Sequence, residues 1–200
     1  MKTLSLLGTT LGFAFAAGLN LYATVLVIGA TVRLGWVTLP APLSGLSVLA
    51  HPLVLAVAGA LYVAEFLADK IPAVDHAWDV AHTLVRPLGA AWLAWRTIGG
   101  AGLPEPAEVA LLLAAGGVAL STHAGKAGTR LAVGAVGGHL IGLGILLSVV
   151  EDIVAFAVAP LALLRPLVML GLVCIGLAVV IPLGVRALRG RRAHQSGGRG

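Results

Sequence analysis

The chain has 200 residues, of which 59% are hydrophobic and only 10% charged. A soluble domain carries about 45–50% apolar and about 25% charged residues, so a water-covered globule is excluded and the expectation is a polytopic, all-α membrane protein. Lys and Arg number 13 against 8 Asp and Glu, a net +5, and the single cysteine, Cys174, rules out an intramolecular disulfide.

A bilayer-crossing helix needs about 20 mostly apolar residues, and six candidates follow in chain order: 4–31, 52–67, 77–98, 107–121, 140–158 and 161–185. Lys2 and the small residues of 14–17 imitate a secretory signal, but the apolar run continues past Gly18 to Ala30, so the first segment is expected to be retained. Gly18-Leu19-Asn20-Leu21-Tyr22 suggests a break within it. The third segment carries Pro87. The fourth is expected to be interrupted over 121–130, where Ser121, Thr122, His123, Lys126, Thr129 and Arg130 alternate with Gly and Ala. The fifth is expected to end at Pro160. Cys174, in the sixth, reads as a small packing residue.

Six spans put both termini on one side. Lys2, Lys70, Arg86, Lys126, Arg130 and the five arginines of 186–200 fall on that side, against Arg33, Arg96 and Arg165 on the other. The bias predicts cytoplasmic termini. The basic tail, 186–200, fits a flexible flank beside anionic lipid better than a nucleic-acid module. The membrane domain is expected to be 1–185.

An internal repeat is suggested by Glu65, Pro72 and Arg86-Pro87-Leu88 in one segment and Glu151, Pro160 and Arg165-Pro166-Leu167 in another. With odd numbers of spans per copy, 1–100 and 105–185 would be inverted three-helix repeats, an arrangement that places transporter sites at the repeat interface.

Carboxylates inside apolar runs cost several kcal/mol each and tend to face a protein interior or a hydrated cavity. Glu65, Glu151 and Asp152 meet that description. The densest polar run joins Asp69, Lys70, Asp75, His76, Asp79, His82 and Arg86. If the stretch after Pro72 is helical, Asp75, Asp79, His82 and Arg86 share a face. Two carboxylates and an imidazole there can relay a proton or bind a divalent metal. They can equally be helix-start chemistry, with Asp75 as the cap and Arg86 paired to Asp79 or His82. Lys126 and Arg130, four residues apart, point the same way and can receive an anion or a carboxylate. The candidate polar site is therefore Asn20, Glu65, Asp69, Lys70, Asp75, His76, Asp79, His82, Arg86, His123, Lys126, Arg130, Glu151 and Asp152, with Asp75, Asp79 and His82 as metal candidates. No nucleotide-binding glycine loop, Cys/His zinc pattern or nucleophile elbow occurs in the sequence, and no cofactor is implied.

Gly18-Leu19-Asn20-Leu21-Tyr22, Glu65-Phe66-Leu67-Ala68-Asp69-Lys70-Ile71-Pro72, Val74-Asp75-His76-Ala77-Trp78-Asp79, His82-Thr83, Arg86-Pro87, the Lys126 to Arg130 segment and Ser148-Val149-Val150-Glu151-Asp152 together resemble a bacterial membrane family catalogued as domain of unknown function 4126. The resemblance spans nearly the whole chain outside the basic tail and implies a bacterial inner-membrane protein. It carries no substrate and no activity. Where relatives are expected to have a Ser-Pro-Glu-Pro-like stretch, this chain has Ala135-Val136-Gly137-Gly138-His139. Three functions stay open on the residues: a small-ion or metabolite transporter or channel, a non-transporting scaffold or accessory subunit, and a metal-dependent intramembrane enzyme.

Overall fold

The computed structural model describes residues 3–136 and 141–197, and within them every side chain except those of 72, 73, 75, 76, 131, 133–136, 141, 142, 144, 183, 184 and 187–197. Expectations that fall on the undescribed residues, including Lys2, residues 137–139 and most of the tail arginines, lie outside it. Among the described residues all regular structure is helical: α1 (Thr3–Leu19), α2 (Leu21–Arg33), a 3-10 segment (Ala41–Ala50), α3 (Pro52–Ala68), α4 (Pro72–Ile98), α5 (Glu105–Val136), α6 (Ile141–Leu164) and α7 (Pro166–Gly197).

The first hydrophobic run breaks at Asn20, which leaves the helical region (φ −152°, ψ 107°) and restarts the chain by accepting the Ala23 N–H on its side chain. A side-chain acceptor at this position satisfies a donor that has no partner within the helix. The small residues of α1 let it run through the centre of the bundle, where Phe13, Ala14, Ala16 and Ala17 are fully buried and the helix packs on α4, α5, α6 and α7. The 14–17 stretch that resembles a cleavage site is thus core.

Several expectations are corrected. The fourth hydrophobic run does not break at 121–130; α5 continues through it to Val136. Thr122 and Thr129 turn their hydroxyls onto the carbonyls of Val118 and Gly125, both at 2.9 Å, so the polar groups are absorbed without interrupting the backbone. Pro160 does not end α6, which runs to Leu164, and the next helix opens at Pro166, with proline at its start. α4 begins at Pro72 with Ile71 in the cap position, so Asp75 is not the cap. Cys174 is exposed rather than a packing residue. α7 carries the helix on through the basic segment to Gly197.

No element is expected at 41–50, yet this stretch forms a 3-10 segment whose Leu43, Leu46 and Leu49 are all buried. With about 3 residues per turn, residues three apart eclipse one another. The three-residue leucine spacing is therefore the signal for it.

Two helices, Glu105–Arg130 and Ile145–Leu164, are long and apolar enough to cross a bilayer. The 3-10 segment and α3 make a third if the pair, bent by 67°, is a single span. Thr3–Leu19, Leu21–Arg33 and Pro166–Pro182 are apolar but shorter. The outward faces are apolar: Leu84 and Leu88 on α4, Leu113 on α5, Ile153 on α6 and Ile175 on α7 are all exposed, whereas Glu65, Arg86 and Lys126 are buried. This inverts the soluble arrangement, in which charged side chains are almost never fully buried unless paired.

Candidate functional site

The break at Asn20 ends α1 inside the bundle and leaves its last carbonyls without helical partners. Two cations take them. Arg86 Nη1 donates to Gly18 O at 2.8 Å, and Lys126 Nζ donates to Leu19 O at 3.4 Å. A positive charge at a helix C-terminus is stabilised by the aligned peptide dipoles. Gly18 also allows α5 to approach: a Cβ there would lie 2.6 Å from Ala119 O and 2.7 Å from Thr122 Cβ.

Arg86, fully buried on α4, is the first hub. Its Nη2 donates to Glu65 Oε1 in a short ion pair, and Nη1 also donates to His123 Nδ1 at 2.9 Å. That bond places the His123 proton on Nε2, which donates to Asp79 O at 3.1 Å and lies 3.4 Å from Thr83 Oγ1. Glu65 Oε2 and Arg86 Nε are buried with no hydrogen-bond partner among the described residues.

Lys126, one helical turn after His123, is the second hub. Its ammonium lies 3.3 Å from Glu151 Oε2, 3.8 Å from Asp69 Oδ2 and 3.9 Å from Glu65 Oε1. One further turn along α5, Arg130 donates from Nη2 to both Asp69 Oδ2 and Glu151 Oε2, each at 2.7 Å. The Ser148 hydroxyl donates to Asp69 Oδ2 at 2.8 Å. Asp69 sits in the turn after α3. Burial alone would raise its carboxyl, but the Arg130 hydrogen bond, the charges of Lys126 and Arg130 and the Ser148 bond outweigh it and hold it at about 2.

Asp152, one residue beyond Glu151, faces another way. Its Oδ1 accepts from Asn20 Nδ2 at 3.0 Å and its Oδ2 from the Tyr62 hydroxyl at 3.4 Å. Asn20 therefore both caps α2 and ties it to α6. His82 stands apart from the ion pairs: Nδ1 donates to Trp78 O at 2.8 Å, Nε2 accepts from the Tyr22 hydroxyl at 3.1 Å, and its ring stacks on Trp78.

Of the sequence candidates, the structure brings Asn20, Glu65, Asp69, Arg86, His123, Lys126, Arg130, Glu151 and Asp152 into one interior network. Asp79 joins through its backbone carbonyl, and its Oδ1 is buried without a hydrogen-bond partner. Lys70 turns aside, donating to Phe66 O at 2.8 Å with its ammonium over the Phe66 ring. The side chains of Asp75 and His76 lie outside the described residues. Arg86 is paired to Glu65 rather than to Asp79 or His82, and Arg33, on the opposite side by the charge count, donates to Ala50 O at 3.2 Å. Among the described residues no three His, Cys, Asp or Glu side chains gather to hold a metal, and both His82 nitrogens are engaged. Tyr62, Ser148 and Tyr22 were not among the sequence candidates; they are ordinary residues in apolar runs that three-dimensional proximity brings onto Asp152, Asp69 and His82.

The fold and site define a class: an all-helical chain, apolar outside, with an ion-pair network at its centre. The chain belongs to the family described as Domain of unknown function (DUF4126), whose family model matches residues 7–186. No significant match was found among curated proteins or among solved structures.

Proposed function

We propose that the chain is a multi-pass protein of the bacterial inner membrane and that its interior network is the solute site of a small cation transporter or channel. In this reading six spans form two inverted halves, with 1–100 and 105–185 as the repeats. The packing supports this: α4 lies against α5, and α7 against α1, the paired contacts a two-fold relation between the halves requires. Arg86, Lys126 and Arg130 are interior residues, so the loop-charge bias rests on Lys2, Lys70 and the basic tail, which still favour cytoplasmic termini next to anionic lipid.

The observation that carries the functional reading is the position of Lys126. It is shared by Glu65 from the first half and Glu151 from the second, with Asp69 between. Among the described residues the network holds four carboxylates, Glu65, Asp69, Glu151 and Asp152, against three cations, Arg86, Lys126 and Arg130. In a low-dielectric interior an unbalanced negative charge is costly, so the network favours a proton or a small cation as its solute. The broken helix at Asn20, with its carbonyls turned to the network, is the kind of irregular backbone that lines ion sites in transporters.

The test is flux. Purified protein in liposomes, given an imposed gradient of protons or potassium, is expected to pass cation, and Glu65→Gln is expected to abolish most of that flux. Intact liposomes that pass neither ion with wild-type protein would refute the reading.

A second reading, a non-transporting scaffold, has its own observation. Arg86 holds α1, α3 and α5 together through Gly18, Glu65 and His123, as a purely structural clamp would. Copurification with one stoichiometric partner, together with absence of flux, would favour it.

A further inference from the structure

Between α3 and α6 the surface opens into a groove of about 400 Å³, lined by Tyr62, Phe66, Val149, Asp152, Ile153, Phe156 and Ala157. Three of these are aromatic: Tyr62 meets Phe156 edge-on at 5.3 Å and Phe66 at 6.3 Å between ring centres. The remaining walls are aliphatic, and Ile153, on the outward face of α6, is exposed at its rim. One carboxylate, Asp152, 6% exposed, forms the polar part of the lining. Its partners, the Asn20 amide and the Tyr62 hydroxyl, are both neutral, and among the described residues no cation lies within ion-pair distance of it. Glu65, Asp69 and Glu151 each have two.

We infer that this groove binds a poorly hydrated, lipophilic organic cation that enters from the apolar surroundings, with Asp152 as its counter-charge and Tyr62, Phe66 and Phe156 as its aromatic walls. Aromatic faces attract cations through the ring quadrupole and favour large, weakly hydrated ones such as quaternary ammonium groups. A strongly hydrated inorganic ion gains little from such walls. The Phe66 ring already accepts a cation, since the Lys70 ammonium lies 3.1 Å from its centre. The apolar rim suits the hydrocarbon part of the ligand. A second groove, between Val25, Val57, Leu61 and Trp92, lacks a carboxylate in its lining and serves as an internal control for simple partitioning.

The inference rests on the membrane reading above, yet its test needs no transport. Full-length protein in non-ionic detergent is titrated with tetraphenylphosphonium by equilibrium dialysis. Saturable binding of one cation per chain is expected. Asp152→Asn keeps the shape and an acceptor for Asn20 and should weaken binding about tenfold or more, and Phe156→Leu should weaken it severalfold. Size-exclusion profiles matching wild type establish that each variant is folded. If Asp152→Asn does not fold, Phe156→Leu decides alone. Non-saturable uptake, or affinity unchanged in the folded variants, would overturn the inference. Saturable binding in a protein that passes neither protons nor potassium would leave the groove standing and the inorganic-cation reading refuted.

Discussion

Arg86 shows how little freedom a buried cation has here. It spends its planar guanidinium on Glu65, the Gly18 carbonyl and His123, a fork that an ammonium cannot reproduce. Arg86→Ala would leave Glu65 buried without its closest counter-charge and should destabilise the protein by about 3–5 kcal/mol. Arg86→Lys keeps the charge but loses the fork, and a cost of about 1–3 kcal/mol is expected. Thermal unfolding in detergent measures both, and a lysine variant as stable as wild type would contradict the geometry. That Glu65, Glu151 and Asp152 would avoid lipid was legible in the sequence, because a carboxylate within an apolar run is too costly to face it, whereas Lys126 and Arg130 read there as charges flanking the membrane. The partners of the carboxylates were not legible. The sequence places Arg86 after Glu65 and Arg165 after Glu151 in similar order, but Arg165 is exposed and Glu151 turns to Arg130 and Lys126. Pairing depends on which helices meet, and residue spacing along the chain does not contain that.

Among the elements, the α1–α2 break and the continuous α5 differ for a physical reason. Asn20 supplies an acceptor for the Ala23 N–H and a donor for Asp152, so leaving the helix is compensated on both sides. The polar residues of α5 instead reach other helices from an intact backbone: His123, Lys126 and Arg130, at three- and four-residue intervals, present one face to α3, α4 and α6. The same Gly-, Thr- and His-rich pattern thus reads as a break in sequence, whereas its side chains find partners without one. The close approach of α1 to α5 makes Gly18 sensitive. Gly18→Ala would place a methyl group against the Ala119 carbonyl and Thr122 and should cost about 1–3 kcal/mol of stability. It should also separate Lys126 from the Leu19 carbonyl and so reduce cation flux. Full stability in Gly18→Ala, by the same thermal measurement, would show that the two helices have room to spare.

The whole molecule joins an apolar exterior to a charged interior, and Cys174 gives a native reporter of the exterior. It is exposed on α7 within the apolar stretch Pro166–Pro182. In intact membrane vesicles it should resist a charged maleimide and react with an apolar one, and it should react with both once the vesicles are dissolved in denaturing detergent. Rapid labelling by the charged reagent in intact vesicles would place α7 in water and contradict the membrane reading. The central claim, that the network carries cations and does not merely clamp helices, is tested most directly by measuring flux and stability on one preparation of Glu65→Gln. The substitution removes a charge next to Arg86 and Lys126 while keeping the side chain's shape. Proton or potassium flux is expected to fall at least about tenfold in protein that still folds in detergent, with some loss of stability because Arg86 loses its counter-charge while the amide oxygen still accepts its hydrogen bond. Wild-type flux in a folded Glu65→Gln protein, or a variant that loses its fold while the wild type passes no cation, would contradict the claim.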